Sequence, residues 1–265
     1  MHFVEKWFNI LTFGNACSKK FFGIFRYDVM DGITVDKKDR IIIPTLSFDA
    51  TNPFNTDRHV ALTYFNAKGH QRGYTYLDKS AQVKSLCTNS RNEVLATDEH
   101  GGKVWVASEA QRISRCFAVD AQRGELETPQ PWGICVDDDD NFYVTDCANS
   151  CIKCYDSEGK MRFYFGSGGE QPGQFAKPTG IAVDENGRII VADSHNHRVQ
   201  IFNDEGVFER FVVRYNRGDD VYLQPVDVLY IGRGRVAVLL RGFKDACRSE
   251  VRVYPCDGSP DILSC

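Results

Sequence analysis

Residues 178–202 decide the fold: Pro178-Thr179-Gly180-Ile181-Ala182-Val183-Asp184-Glu185-Asn186-Gly187-Arg188-Ile189-Ile190-Val191-Ala192-Asp193-Ser194-His195-Asn196-His197-Arg198-Val199-Gln200-Ile201-Phe202. Apolar runs of four or five residues are cut by Gly, Asn or Asp, too short for an amphipathic helix and the right length for strands. Gly180–Val183 reads as strand a and Arg188–Ala192 as strand b, joined through Asn186-Gly187, which tolerates the positive φ of a tight hairpin. The polar loop Asp193–His197 leads to strand c, Arg198–Phe202. Asn203-Asp204-Glu205-Gly206 then turns into strand d, Val207–Val212. The inner strands are apolar throughout, which implies burial on both faces.

The same pattern recurs along the chain. Pro131-Trp132-Gly133-Ile134-Cys135-Val136-Asp137, then Phe142-Tyr143-Val144-Thr145-Asp146, lies 47 residues earlier, counted from Gly180 to Gly133. A further step of 47 in each direction reaches Leu86, in a unit with Glu93–Asp98, and Asp227, in a unit with Arg235–Leu239. A fifth copy opens at Gly32-Ile33-Thr34-Val35-Asp36 and carries a longer b–c loop. Short antiparallel meanders repeated at this period are blades of a β-propeller, whose radial packing covers both faces of each sheet. The expectation is an all-β, single-domain propeller spanning 1–265, with five visible units of four strands. The last unit reaches strand c near Val251–Tyr254, so Phe8–Phe13, similar to Arg162–Phe165, is expected to supply its fourth strand.

Ile181–Asp184 with Gly187–Phe202 resembles the NHL repeat, and Phe165-Gly166-Ser167-Gly168-Gly169-Glu170-Gln171-Pro172-Gly173-Gln174-Phe175 resembles the linker of tripartite-motif–NHL proteins. The resemblance implies a propeller, commonly of six blades, that presents loops to a partner. No RING, B-box or coiled coil is read in the sequence, so ubiquitin-ligase activity would need a RING region elsewhere.

Composition narrows the function classes. Net charge is −4 and the charged fraction 26%, which excludes a strongly basic global field; no DNA partner is expected. No apolar run approaches a bilayer span, and the charged start lacks a signal-peptide centre, so a cytoplasmic chain without membrane contact is expected. The ten cysteines are then read as mostly reduced thiols.

Several constellations have both a chemical and a structural reading. Cys147, Cys151 and Cys154 invite zinc, but alignment puts the last two on a strand, where residues three apart face opposite ways. Asp137–Asp140 imitates a calcium site, yet occupies an a–b turn and lacks the alternating EF-hand ligands. Asp193, Asn196 and Arg198 read as the repeat's own loop chemistry, with Arg198 pairing Asp193. His195 is the loop histidine left for contacts. The a strands carry none of the six histidines, so the His-lined metal centre of propeller lyases has no ligands here. No metal, cofactor or catalytic residue is expected. The reading is therefore a non-catalytic module that binds a macromolecule. A protein partner comes first, RNA is the alternative, and a propeller lyase or hydrolase is third.

The expected surface is the face of the d–a and b–c loops. It carries Arg26, Arg58, His195, Arg214, Arg217, Arg241 and Lys244, with Lys177 among further cations, and Tyr215 and Phe243 as stacking or anchor groups.

Overall fold

In the computed structural model the described residues are 28–29, 32–48, 58–108, 113–122, 127–215, 223–242 and 249–256. Phe8–Phe13, Arg26, Arg217, Phe243 and Lys244 lie outside them, and the placement of Arg58 is described for its backbone alone. The chain divides into two compact units, Met1–Ala118 and Val119–Cys265.

The first unit holds two sheets. One comprises β1 (Asp28–Val29), β2 (Thr34–Val35), β3 (Ile41–Phe48), β4 (Arg58–Phe65) and β5 (Gln71–Tyr76). Both β1 and β2 pair with β3, and the order continues to β4 and β5. The other is the meander β6 (Val83–Thr88), β7 (Val94–Asp98), β8 (Lys103–Ser108) and β9 (Ile113–Ala118). Ile42, Leu62, Tyr64, Val94 and Trp105 share their core.

The second unit repeats the meander with β10 (Pro131–Val136), β11 (Phe142–Asp146), β12 (Cys151–Tyr155) and β13 (Met161–Phe165). It repeats again with β14 (Pro178–Val183), β15 (Ile189–Asp193), β16 (Arg198–Phe202) and β17 (Phe208–Arg214). The last sheet has three described strands, β18 (Leu223–Tyr230), β19 (Arg235–Gly242) and β20 (Ser249–Pro255). Every strand pair within the five sheets is antiparallel. Helix among the described residues amounts to one 3₁₀ turn, Ser194–Asn196. The fold class is thus all-β, five blades of a β-propeller.

In four of the five blades the a–b turn is set by one side chain. Asp36, Asn89, Asp137 and Asp184 open the a–b turns, and the Oδ1 of each accepts the amides two and four residues on, at 2.8–3.1 Å. This is the Asx-turn chemistry that makes Asp and Asn turn residues. Asp137–Asp140 is such a turn: Asp137 Oδ2 also accepts from Asn141 Nδ2 and Tyr143 OH, both at 3.0 Å.

In the second unit, the inner strands β10, β14 and β18 stand side by side. Thr145 Oγ1 donates to the Thr179 carbonyl at 2.9 Å, and Thr179 Oγ1 donates to the Val226 carbonyl at 2.9 Å. Glycine is required where the strands approach: a Cβ on Gly133 would collide with the Thr179 carbonyl oxygen, and one on Gly180 with Asp227.

Candidate functional site

In the second, third and fourth blades the loop end is built around an aspartate that closes the b strand. Asp98, Asp146 and Asp193 are all buried. One oxygen of each accepts the amide of the residue entering the blade, from Gln82 at 2.9 Å, Gln130 at 3.0 Å and Ala176 at 2.7 Å. The other oxygen takes a donor seven residues downstream: Trp105 Nε1 at 3.2 Å, Lys153 Nζ at 2.8 Å and Gln200 Nε2 at 3.1 Å. In the fourth blade Arg198 Nε adds a bond at 2.8 Å. Burial alone raises the Asp193 carboxyl above its ordinary range, opposed by these donors.

Arg198 also fixes the linker that precedes its blade. Its Nη1 donates to the Glu170 carbonyl at 2.6 Å, and its Nη2 to those of Gln171 and Gln174 at 2.9 and 2.8 Å. Asn196 Nδ2 holds the Gly169 carbonyl at 2.8 Å. In the third blade Cys151 takes the place of Arg198, and the cation comes from Lys153, whose Nζ also donates to the Asp120 carbonyl at 2.6 Å. Cys147, Cys151 and Cys154 are buried; the Cys147 thiol donates to the Pro178 carbonyl at 2.8 Å, and burial pushes the Cys154 thiol up. Among the described residues, no three His, Cys, Asp or Glu side chains are grouped to hold a metal ion.

On this frame stand three side chains from three segments. Lys177 is exposed and adopts φ 55°, a left-handed conformation unusual for lysine. Its neighbours enforce it. The Ala176 amide is held by Asp193, the Ala176 carbonyl accepts the His195 amide at 3.0 Å, and Pro178 pairs with Asp193 across β14 and β15. The ammonium of Lys177 lies 5.5 Å from the ring centroid of Trp132, which is partly exposed at the start of β10. His195 is exposed beside them; burial, then Lys177 and His197, lower its pKa. His197 is buried, its Nδ1 3.0 Å from the Leu223 carbonyl oxygen.

The other expected contact residues are more dispersed. Arg214 is exposed at the end of β17, its guanidinium 4.7 Å from the Phe211 ring centroid. Arg241 is exposed on β19, opposite Gln224 and Ser249 at the loop end of the last sheet. Tyr215 packs partly buried against the core of the last two blades, with its hydroxyl 2.6 Å from that of Tyr254. Arg58 begins β4, opposite Phe48. Trp132 was missing from the expected site. Its signal in the sequence was an indole where the fourth and fifth blades carry Thr179 and Val226.

A family model for the NHL repeat matches residues 128–155 and 175–202. These are the third and fourth blades through strand c, so the chain carries NHL repeats on a β-propeller. No curated protein matches it significantly in sequence. Solved structures share the fold at low identity. A catalytically inactive virginiamycin B lyase from Staphylococcus aureus with quinupristin is 14% identical with a TM-score of 0.56, covering 88% of this chain and 89% of that one. A chain of a nidogen/laminin complex is 15% identical with a TM-score of 0.57, covering 83% and 76%. A putative gluconolactonase is 12% identical with a TM-score of 0.56, covering 91% and 84%.

Proposed function

We propose that this propeller is a non-catalytic module, one domain over 1–265 working in the cytoplasm, that binds a protein partner through the loop end of its blades. The observation that carries this reading is the Trp132–Lys177–His195 cluster: an exposed cation held in a left-handed backbone over an accessible indole. Strain of this kind persists where surrounding structure over-determines it, commonly at binding sites. Trp and Arg anchors dominate protein interfaces, and Arg214 in the fourth blade and Arg241 in the fifth add exposed cations. Against catalysis, the inner strands β10, β14 and β18 offer one carboxylate, Asp227, and no histidine. No described helix is long and apolar enough to cross a membrane.

The test is photo-crosslinking from a benzophenone residue at position 195 in cells, with RNase-treated and untreated lysates. A discrete protein adduct that resists RNase and is lost in Trp132→Ala and Lys177→Ala supports the reading. An RNase-sensitive adduct, together with a steep salt dependence of binding to a labelled RNA pool, replaces it with the RNA alternative, in which the indole stacks on a base. Turnover by the purified chain of a cyclic depsipeptide or a sugar lactone would overturn both.

A further inference from the structure

Two residues of the Trp132–Lys177–His195 cluster have clamped backbones and uncommitted polar tips. His195 is the middle residue of the 3₁₀ turn Ser194–Asn196. Ser194 is buried, and its hydroxyl donates to the Pro225 carbonyl at 2.6 Å. Asn196 Nδ2 donates to Asp193 Oδ2 at 2.9 Å and to the Gly169 carbonyl at 2.8 Å. The His195 amide itself donates to the Ala176 carbonyl at 3.0 Å. Anchors on both sides therefore fix where the imidazole stands. Lys177 is fixed in the same way, by the bond from the Ala176 amide to Asp193 and by the pairing of Pro178 with Asp193. Groups held in place before a ligand arrives lose little entropy on binding it.

The tips lack acceptors. Among the described residues, neither the Lys177 ammonium nor the His195 ring forms a hydrogen bond or an ion pair. The indole of Trp132, its centroid 5.5 Å from Lys177 Nζ, offers a ring and no acceptor atom. The turn packs against β14, β16 and β18. The charged groups on those strands, at the end of β15 and in the adjoining linker are Arg198, Asp227, Asp193 and Glu170. Asp193 is taken up by Arg198, Gln200 and Asn196, and Asp227 accepts the Val228 amide. None of the three carboxylates pairs with Lys177 or His195.

Charge says what fits there. Burial first, then Lys177 and His197, lower the His195 pKa against the opposing pull of Asp193, so at neutral pH the imidazole is uncharged and donates one N–H. One ammonium and one neutral donor match a carboxylate, which carries a single charge on two acceptor oxygens. A nucleic-acid backbone, with a charge on every phosphate, calls for many more cations.

We propose that the cluster receives an Asp or Glu side chain of a partner protein, held between Lys177 and His195 with an adjoining aromatic residue on Trp132, and that binding takes up a proton at His195. The proposal rests on the reading of this cluster as a protein-binding site and adds to it the partner's chemistry and its control by pH. A carboxylate beside the imidazole favours the imidazolium, so affinity rises as pH falls through the range in which His195 titrates.

The probe is a tetramethylrhodamine-labelled peptide Gly-Glu-Phe-Glu-Gly, read by anisotropy on the full chain at 50 mM salt. The expected result is saturable binding, weaker by about fivefold or more for Gly-Gln-Phe-Gln-Gly, for Lys177→Gln and for Trp132→Ala. Binding is about threefold tighter at pH 5.5 than at pH 7.5, and His195→Gln removes that difference. Val207→Ser, an exposed turn residue outside the cluster, keeps both the affinity and its pH dependence. Circular dichroism melts at both pH values establish that each variant folds; should Lys177→Gln fail to fold, Lys177→Gly, which suits the left-handed backbone, takes its place. The proposal is overturned if the Glu peptide does not bind at either pH, if the Gln peptide binds equally, or if the pH dependence survives in His195→Gln. It is also overturned if a ten-residue oligouridine displaces the peptide, which assigns the site to RNA. The underlying reading is decided separately by the photo-adduct from position 195. An adduct lost in Trp132→Ala, with no binding of the Glu peptide, leaves a protein site of other chemistry; absence of any protein adduct removes the reading itself.

Discussion

Replacing Arg198 by alanine tests whether the blade end is held as described. The side chain is almost wholly buried and ends on one carboxylate oxygen and three carbonyls, those of Glu170, Gln171 and Gln174. Removing it leaves Asp193 buried without its cation and takes one donor from each of the three linker carbonyls, of which that of Gln171 keeps the Gln174 amide at 3.0 Å and that of Gln174 keeps Gln200 Nε2 at 2.8 Å. Breaking a buried pair from one side costs about 3–5 kcal/mol, and Gln200 and Asn196, which still donate to the same oxygen at 3.1 and 2.9 Å, place the expectation at the lower end, about 3 kcal/mol. For a chain of this size that is a drop in melting temperature of roughly 6–12 °C.

The loss has a pH signature. Burial already raises the Asp193 carboxyl, and without Arg198 it rises further. A carboxyl raised on folding stabilises the protonated native state below its unfolded value and loses that contribution as pH rises through its folded value. The deficit of Arg198→Ala is therefore largest at neutral pH and shrinks toward pH 4. Asp193→Asn in the Arg198→Ala background recovers part of it. Urea melts at several pH values measure the energy, and hydrogen exchange reports its place, with faster exchange expected at the amides of Gly169, Gly173 and Phe175. A loss below about 1 kcal/mol, or exchange that quickens evenly over the whole unit, would refute the clamp.

Three further outcomes follow from the geometry. Asp227 carries a carboxyl pushed up to about 6 by burial, opposed by one bond from the Val228 amide at 2.9 Å. Asp227→Asn should stabilise the protein above pH 6 by about 1–2 kcal/mol, less than the roughly 3 kcal/mol of the full shift because the residue keeps some exposure, and the gain should vanish toward pH 4; a constant or opposite difference in urea melts would sink this. Gly133→Ala should cost about 2–3 kcal/mol, since the Thr179 carbonyl must move, and a melting temperature within 2 °C of the parent would show that β10 and β14 are farther apart. Of the seven described cysteines, Cys116 is the exposed one, so mass spectrometry of briefly alkylated native protein should find it modified far ahead of Cys147, Cys151, Cys154 and Cys256.

The blades were legible in the sequence because their signals are local. Asn186-Gly187, the run Ile189–Ala192 and Asp193 each state a turn, a buried strand and its end within a few residues, and the observed strands fall within two residues of those expected. The contents of the blade end were only half legible. Alignment equates Cys151 with Arg198 and shows a cation lost; it does not show that Lys153, two residues on, returns a cation to Asp146, because that depends on which way a strand residue points at its edge. Trp132 escaped for the same reason: the Lys177 ammonium that meets its ring comes from 45 residues further along the chain. The substitutions also locate the freedom of this fold. The Asp of the second, third and fourth blade ends keeps its amide partner while its downstream donor changes from Trp105 to Lys153 to Gln200, so the frame tolerates different chemistry behind it. Exposed residues held by that frame, such as Lys177 and His195, can vary without altering the hydrogen bonds that position them. Binding specificity is therefore best sought in residues that leave the Asp98, Asp146 and Asp193 networks intact, and Trp132 and Lys177 meet that condition where Arg198 does not.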